Sequence, residues 1–282
     1  MKYQLKENMP ILDALALLSP GSSKTSLRSW IKEGRVYVDE RLVSKNTLLL
    51  HAGQVVSLGE KKKRAEGGLQ ILYEDSDIVV IDKPSGVLSV ATNFEKGETA
   101  HAFLKQRYKP NKVFVVHRLD QDTSGVMLFA LSENAYLRLK QTFEEHNIDR
   151  TYIAIVQGVM EESSGSWSSY LYEDANYVVH STQDPARGKL AITHFTVTGK
   201  SKRFMRLQLN LETGKKNQIR VHCRDAGHPI VGDMKYGAAT NPIKRLCLHA
   251  HLLAFKHPIT GKLMRFTSPV PEAFNRMVHD YA

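Results

Sequence analysis

From Gly59 to Gly68 the chain reads Gly-Glu-Lys-Lys-Lys-Arg-Ala-Glu-Gly-Gly, a charged stretch without apolar periodicity, flanked by sequence that is rich in it. Such a segment has nothing to bury, so it predicts a linker at 59–68 between two folding units, 1–58 and 69–282. The length of 282 residues, 42% of them hydrophobic, supplies one sizeable core and a smaller second one. Charge separates the two units. Residues 1–68 hold 12 Lys and Arg against 7 Asp and Glu, a net of +5, and the much longer remainder carries only the other +5 of the total +10. A pI near 9.5 suits a polyanionic partner, nucleic acid first; on charge alone, simple solubility remains an equal reading.

Other classes fall away quickly. The two cysteines, Cys223 and Cys247, make no disulfide scaffold and fit a reducing compartment. The start, Met1-Lys2-Tyr3-Gln4, has no apolar run behind it, so no signal peptide is expected. Nor does any stretch approach the roughly 20 apolar residues of a membrane span. A cytoplasmic protein with no membrane partner is expected, and a monomer is the simplest state.

In the first unit, Ile11, Leu12, Leu15 and Leu18 have helical spacing. A second helix is predicted from about Lys24 to Glu33, with Gly34 placed to stop it. Leu27 and Ile31 form its apolar stripe, and Lys24, Arg28 and Lys32 follow at i, i+4, i+8 along one flank. A solvated helix face is the commoner use of such a row, although a small basic appendage favours phosphate contact. Short strand-like runs follow at Arg35–Val38 and Gln54–Leu58.

From Leu69 on, short β-rich runs alternate with turns and a few helices. Strands are predicted at Ile78–Ile81, stopped by Asp82-Lys83-Pro84-Ser85-Gly86, and at Val113–Val116, Val126–Leu131, Tyr152–Val156, Ile192–Thr198 and Phe204–Leu211. Ser132 is placed to cap a helix through Glu145, and Asn217–Ala226 reads as another. The expected fold class is α+β with a largely antiparallel mixed sheet.

His117-Arg118-Leu119-Asp120-Gln121-Asp122-Thr123-Ser124-Gly125 lies between two of these strands and reads as a polar loop at a sheet end, a place where rigid frames often hold catalytic groups. By residue type alone a plain hairpin loop is the simpler interpretation. Asp122-Thr123-Ser124-Gly125 has one residue too many for an aspartic-protease loop, and a second carboxylate loop is missing. Ser124 lacks a Gly-x-Ser-x-Gly elbow, and there is no Gly-x-x-x-x-Gly-Lys-Ser/Thr phosphate loop. His222, His228, His249, His251, Cys223 and Cys247 raise the question of a metal. They lack Cys-x-x-Cys or His-Glu-x-x-His spacing, and 246–253 reads as packed secondary structure.

His117-Arg118-Leu119-Asp120 with Thr123-Ser124-Gly125 closely resembles the core motif of the RluA-type pseudouridine synthases. Further segments resemble that family in register: Asp82–Gly86, Arg150–Ala154, Thr213–His222, His228–Asp233, Leu248–Ala250 and His257–Gly261. The resemblance spans about 69–270. The first unit resembles the S4 RNA-binding domain through its basic helix, Ile31–Val38 and Ala52–Val56. There Asp39-Glu40 replaces the Asn-Gly that makes a better hairpin turn.

The resemblance implies an isomerase that converts uridine in RNA, most readily ribosomal RNA of the 23S type and otherwise transfer RNA, to pseudouridine. The reaction breaks an N–C bond, turns the base and makes a C–C bond, and no cofactor or metal is expected. Asp120 matches the catalytic carboxylate, Arg220 its cationic partner, and Tyr152 the tyrosine that stacks on uracil. Arg118 matches the residue that holds RNA with the base flipped out. His117 and Thr123 shape the loop, with His117 also counted among the RNA-side residues Arg118, Lys215, Lys24, Arg28 and Lys32. One departure stands out. The family commonly has Thr-Gly-Arg-Thr-His-Gln-Ile-Arg, whereas this chain has Thr213-Gly214-Lys215-Lys216-Asn217-Gln218-Ile219-Arg220. Lys215 keeps charge without the guanidinium fork, and Asn217 loses a ring, so substrate choice is the property in question. The alternatives are a non-catalytic RNA-binding or ribosome-assembly protein on a synthase scaffold, and a metal-dependent nucleic-acid hydrolase using the His/Cys set.

Overall fold

The computed structural model describes residues 2–32, 35–43, 46–59, 69–91 and 98–280. All of the expected linker at 59–68 except Gly59 lies outside the described residues, as do Glu33, the Gly34 helix stop and the side chain of Lys32. The chain divides into two compact units, Met1–Arg64 and Ala65–Ala282.

In the first unit the helices Ile11–Leu18 and Lys24–Lys32 pack on a four-stranded antiparallel sheet. Ser23 caps the second helix by accepting from the Ser26 amide at 3.1 Å. Burial follows the stripe: Leu27 and Ile31 join Ile11, Leu15 and Leu18 in the core, while Lys24 and Arg28 are exposed. The hairpin turn forms without Asn-Gly. Asp39 and Glu40 both take positive φ, 47° and 67°, a conformation disfavoured for residues carrying a Cβ. The Asp39 carboxylate compensates by accepting from the Val55 amide at 2.9 Å and from Gln54 at 2.8 Å.

The second unit is built on a twelve-stranded mixed sheet among the described residues. Its central run pairs Phe204–Leu211, Asp149–Gln157, Leu248–Lys256, Ser124–Ala130 and Ile78–Lys83 in that spatial order. All of these pairings are antiparallel except Ser124–Ala130 with Leu248–Lys256. The helix Glu133–Glu144 is capped as expected, with Ser132 Oγ accepting from the Ala135 amide.

The sheet departs from expectation in places. The strand at Ile78 continues through Lys83, because Asp82 and Lys83 still pair with Val126 and Gly125. Ser124 and Gly125 belong to a strand, not to the loop before it. The strands Ser164–Glu173 and Val179–Thr182 and the helix Ala100–Arg107 were not predicted. Ser164–Glu173 is rich in Ser and half exposed, so its pairing with Lys189–Lys200 carries it more than its own β propensity does.

Gly125 shows why the parallel pair needs a glycine. Its φ is +114°, and a Cβ there would lie 2.1 Å from the Ala250 carbonyl oxygen. The close approach of these two strands brings the end of the His117–Thr123 loop beside the middle of the sheet.

Candidate active site

The His117–Thr123 loop is strapped to the segment after Ile78–Lys83. Lys83 is fully buried, and its Nζ donates to the carbonyls of Pro84, Val87 and Gln121 at 3.1, 2.7 and 3.0 Å. Burial pulls its ammonium down to about 7, against the pull of Asp122 and Asp120. Ser85 Oγ donates to the Asp122 carbonyl, Ser89 Oγ to that of Leu119, and the Gly86 amide to that of Gln121. A polar loop tied at this many points presents its side chains in fixed directions.

Asp120 sits on this loop with its side chain 29% exposed. Both of its polar contacts among the described residues fall on Oδ2. Asn217 Nδ2 donates at 2.6 Å and Arg220 Nη1 at 3.3 Å. Oδ1 carries no hydrogen bond among the described residues, and Asp120 is one of the residues that line the cleft. Arg220 is itself fixed by Asp233, which is 1% exposed and accepts from Nε and Nη2 at 2.7 Å each in a two-pronged pair. Burial works against the Arg220 charge, and the Asp233 hydrogen bonds and charge outweigh it, with Asp120 adding to them, so its affinity for the proton rises. The guanidinium also lies 4.9 Å from the centre of the Tyr236 ring. The Tyr236 hydroxyl donates to Asn217 Oδ1 at 3.3 Å and accepts from the Val179 amide at 3.2 Å.

Asn217 opens the helix Gln218–Asp225 in a left-handed conformation, φ 53°, which asparagine tolerates better than most residues. Gln218 fastens the preceding loop. Its Oε1 accepts from Thr213 Oγ1 and the Lys215 amide, and its Nε2 donates to the Ile192 carbonyl and to Thr193 Oγ1.

Tyr152 comes from the neighbouring strand, at a bulge between Thr151 and Tyr152 opposite Leu248–Lys256. Bulges re-aim side chains next to sites, and this one turns Tyr152 into the cleft. Burial holds its hydroxyl above the ordinary phenol range, so it stays protonated at neutral pH. Arg118, Asp120, Tyr152, Lys215, Asn217 and Arg220 line one open cleft.

The structure thus gathers Asp120, Tyr152, Arg220, Arg118 and Lys215 at one place. Lys24 and Arg28 lie in the other unit. The His117 ring accepts the Leu128 amide on Nε2 at 3.0 Å and stacks on Phe143 at 4.8 Å, which suits the loop-shaping role expected of it. Burial, with Arg150 beside it, pushes this imidazole down to about 3. Arg118, next to it, is exposed.

Sequence reasoning missed the direct contact of Asn217 with Asp120 and the anchoring parts of Asp233, Tyr236 and Lys83. The motif register quoted three of these residues without their use. The His/Cys set is spent elsewhere. His249 Nε2 and His251 Nδ1 converge on the Ser268 carbonyl, and His249 Nδ1 accepts from Ser124 Oγ. His222 lies between Thr193 and Ser169. Burial holds His222 and His249 at about 4 and lifts the Cys247 thiol to about 12.

Comparison with known proteins agrees with this geometry. Residues 77–225 match the family described as RNA pseudouridylate synthase. The chain is 32% identical over 271 residues to "Uncharacterized RNA pseudouridine synthase YhcT" of Bacillus subtilis, covering 92% of this chain and 89% of that protein. It is 34% identical over 283 residues to "Ribosomal large subunit pseudouridine synthase D" of Vibrio vulnificus, covering 92% and 86%. The human RNA Pseudouridylate Synthase Domain Containing 1 structure shares the fold, with a TM-score of 0.63 at 24% identity over 79% of this chain and 92% of that one. The chain belongs to the RNA pseudouridylate synthase family, in its RluA-type branch, and is an isomerase that acts as an RNA pseudouridine synthase.

Proposed function

We propose that the protein converts specific uridines of large-subunit ribosomal RNA to pseudouridine in the cytoplasm, with Asp120 as the nucleophilic carboxylate. The observation that carries this reading is the asymmetry at Asp120. Oδ2 is held by Asn217 and Arg220, and Oδ1 carries no protein hydrogen bond among the described residues. A carboxylate anchored through one oxygen presents the other to an electrophilic carbon of the nucleotide, ribose C1′ or uracil C6.

Arg220 sets a positive charge against the carboxylate, with Nη1 3.3 Å from Oδ2. Asn217 is the positioning residue that aims it. Tyr152 stacks on the uracil and, with its hydroxyl protonated, serves the proton exchange that removes hydrogen from C5 as N1 gains one. Arg118 is exposed at the rim, where a planar cation fills the space left by the flipped base. Lys215 supplies a phosphate contact. The names of the relatives, "Ribosomal large subunit pseudouridine synthase D" among them, support ribosomal RNA as the substrate. The first unit acts as an S4-like RNA-binding domain through Lys24, Arg28 and Lys32, a reading supported by the exposure of Lys24 and Arg28 above a buried apolar stripe.

The test is nucleotide-resolution pseudouridine mapping of total RNA from cells with the gene intact, deleted, or carrying Asp120→Ala. Sites lost in both altered strains support the reading and identify the substrate. If no site changes in either strain, the catalytic reading fails and a non-catalytic RNA-binding role replaces it.

A further inference from the structure

The strands Ser164–Glu173 and Val179–Thr182 are joined by a tight turn whose shape is set by Asp174. Its Oδ1 accepts from the amides of Asn176 and Val178 at 2.9 Å each, and its carbonyl accepts from the Tyr177 amide at 2.9 Å. Tyr177 sits in this turn at φ +61° with 60% of its surface exposed. Glycine or asparagine suits that backbone, whereas a bulky aromatic is disfavoured there. Asp174 already holds the turn, so the turn itself does not call for an aromatic ring. A large ring in a strained, exposed position offers surface to a partner in addition to its contacts within the fold.

The surroundings say what kind. Lys216 Nζ lies 5.8 Å from the centre of the Tyr177 ring, and Lys235 Nζ donates to the Tyr177 carbonyl at 3.4 Å. Lys216 also pairs with Glu173 at the foot of the turn. Each lysine is next in sequence to a residue of the Asp120 network: Lys216 precedes Asn217, whose amide touches Asp120, and Lys235 precedes Tyr236, whose hydroxyl touches Asn217. Partial burial, then the neighbouring Arg220 and Lys216 charges, holds the Lys235 ammonium below the ordinary lysine range. Cations crowded in this way favour an incoming anion. An exposed aromatic ring with one lysine over it and a second at its backbone carbonyl, the second within reach of the Asp120 and Arg220 charges, has the makings of a single-stranded RNA subsite, where bases stack and phosphates meet ammonium groups.

We propose that Tyr177, flanked by Lys216 and Lys235, is a stacking platform for a nucleotide adjacent to the target uridine, and so helps to choose which uridine enters the cleft. This rests on the proposed function for the identity of the target, but its own signature is separate. Stacking draws on the π-face of the ring, and the hydroxyl plays no part in it.

The test uses the full chain and a short single-stranded RNA whose one uridine is flanked on both sides by 2-aminopurine, a fluorescent base that dims when stacked. Wild type and Tyr177→Phe are expected to quench and bind the probe alike. Tyr177→Gly is expected to lose the quenching and to bind about fivefold or more weakly, the loss of one base–aromatic stack, while melting no lower than wild type because glycine suits the backbone. Tyr177→Asn, which also tolerates that φ, repeats the loss. A glycine variant that quenches and binds like wild type overturns the proposal, as does a phenylalanine variant that fails like the glycine one. Asp120→Ala separates the two readings. If it still forms pseudouridine while the platform variants behave as expected, only the catalytic assignment falls. If it is inactive while Tyr177→Gly quenches normally, only the platform falls.

Discussion

The two units use charge in opposite ways. In the first, an apolar core of Ile11, Leu15, Leu27 and Ile31 lies inside, and the cations Lys24 and Arg28 lie outside it in solvent. In the second, the ions that matter are inside: Lys83 is fully buried, Asp233 is 1% exposed and Arg220 is 12% exposed. A surface cation attracts a polyanion by adding one more charge, so its neighbours can stand in for it. A buried ion depends on its own partners, because no solvent replaces one that is lost. The first unit should therefore tolerate single changes, and the second should not.

The largest expected effect is at Asp120. Asp120→Asn keeps the shape and removes the charge, and pseudouridine formation should fall by roughly a thousandfold or more while RNA binding, measured by filter retention, holds. Next is Asp233→Ala, which removes the two shortest of the three carboxylate hydrogen bonds of the largely buried Arg220 guanidinium. Breaking such a pair costs about 3–5 kcal/mol, so thermal unfolding of the second unit should move down sharply and activity with it. An Asp233→Ala protein that melts like wild type would erase the contrast between the units.

Acid should strike the second unit through its histidines. His117, His222 and His249 are held at about 3, 4 and 4, well below an ordinary imidazole, first of all by burial. Their unfolded forms bind protons from about pH 6.5 downward while the folded forms do not. The stability they contribute is present above pH 6.5 and is lost as pH falls toward 4. The loss is steepest, at about 1.4 kcal/mol per pH unit for each ring, between these values. The first unit holds a single histidine, His51. Calorimetry from pH 7 to 4.5 should show the second unit weakening faster, and parallel losses in both would contradict the buried-neutral assignment.

Asn217→Ala sharpens the comparison within the site. Hydrogen bonds to charged groups are worth about 1.5–3 kcal/mol. The expected result is a kcat lowered by about tenfold to a hundredfold with KM little changed, since the amide aims Asp120 without gripping RNA. Smallest is Lys24→Ala combined with Arg28→Ala. It should leave kcat alone, weaken RNA binding several-fold across sequences and reduce the salt slope by about one to two. A catalytic defect in that double variant would show that the first unit does more than hold RNA.

Much of the frame could be read from residue order. The helix starts at Ser23 and Ser132 have local causes, a hydroxyl placed to accept an orphan amide, and local causes survive into the fold. The Phe204–Leu211 strand appeared with its bounds intact because its alternation is its own. Ser164–Glu173 could not be read this way, since its Ser-rich sequence becomes a strand only through the partner on either side. His117 shows the same limit for function. Its place in the motif names neither of its partners, the Phe143 ring and the Leu128 amide, which come from other elements.

The sequence by itself determined the division into two units, the basic face of the first, the α+β class of the second and the loop that bears Asp120. All of these depend on composition, periodicity or contiguous motifs. Only the tertiary structure decided that Asn217, which looked like a loss in the motif, reaches Asp120 across 97 positions of chain, and that Arg220 is anchored by Asp233. The direction of a side chain and the identity of its partner arise from packing between distant segments, and neighbouring residues in a sequence do not encode that distance.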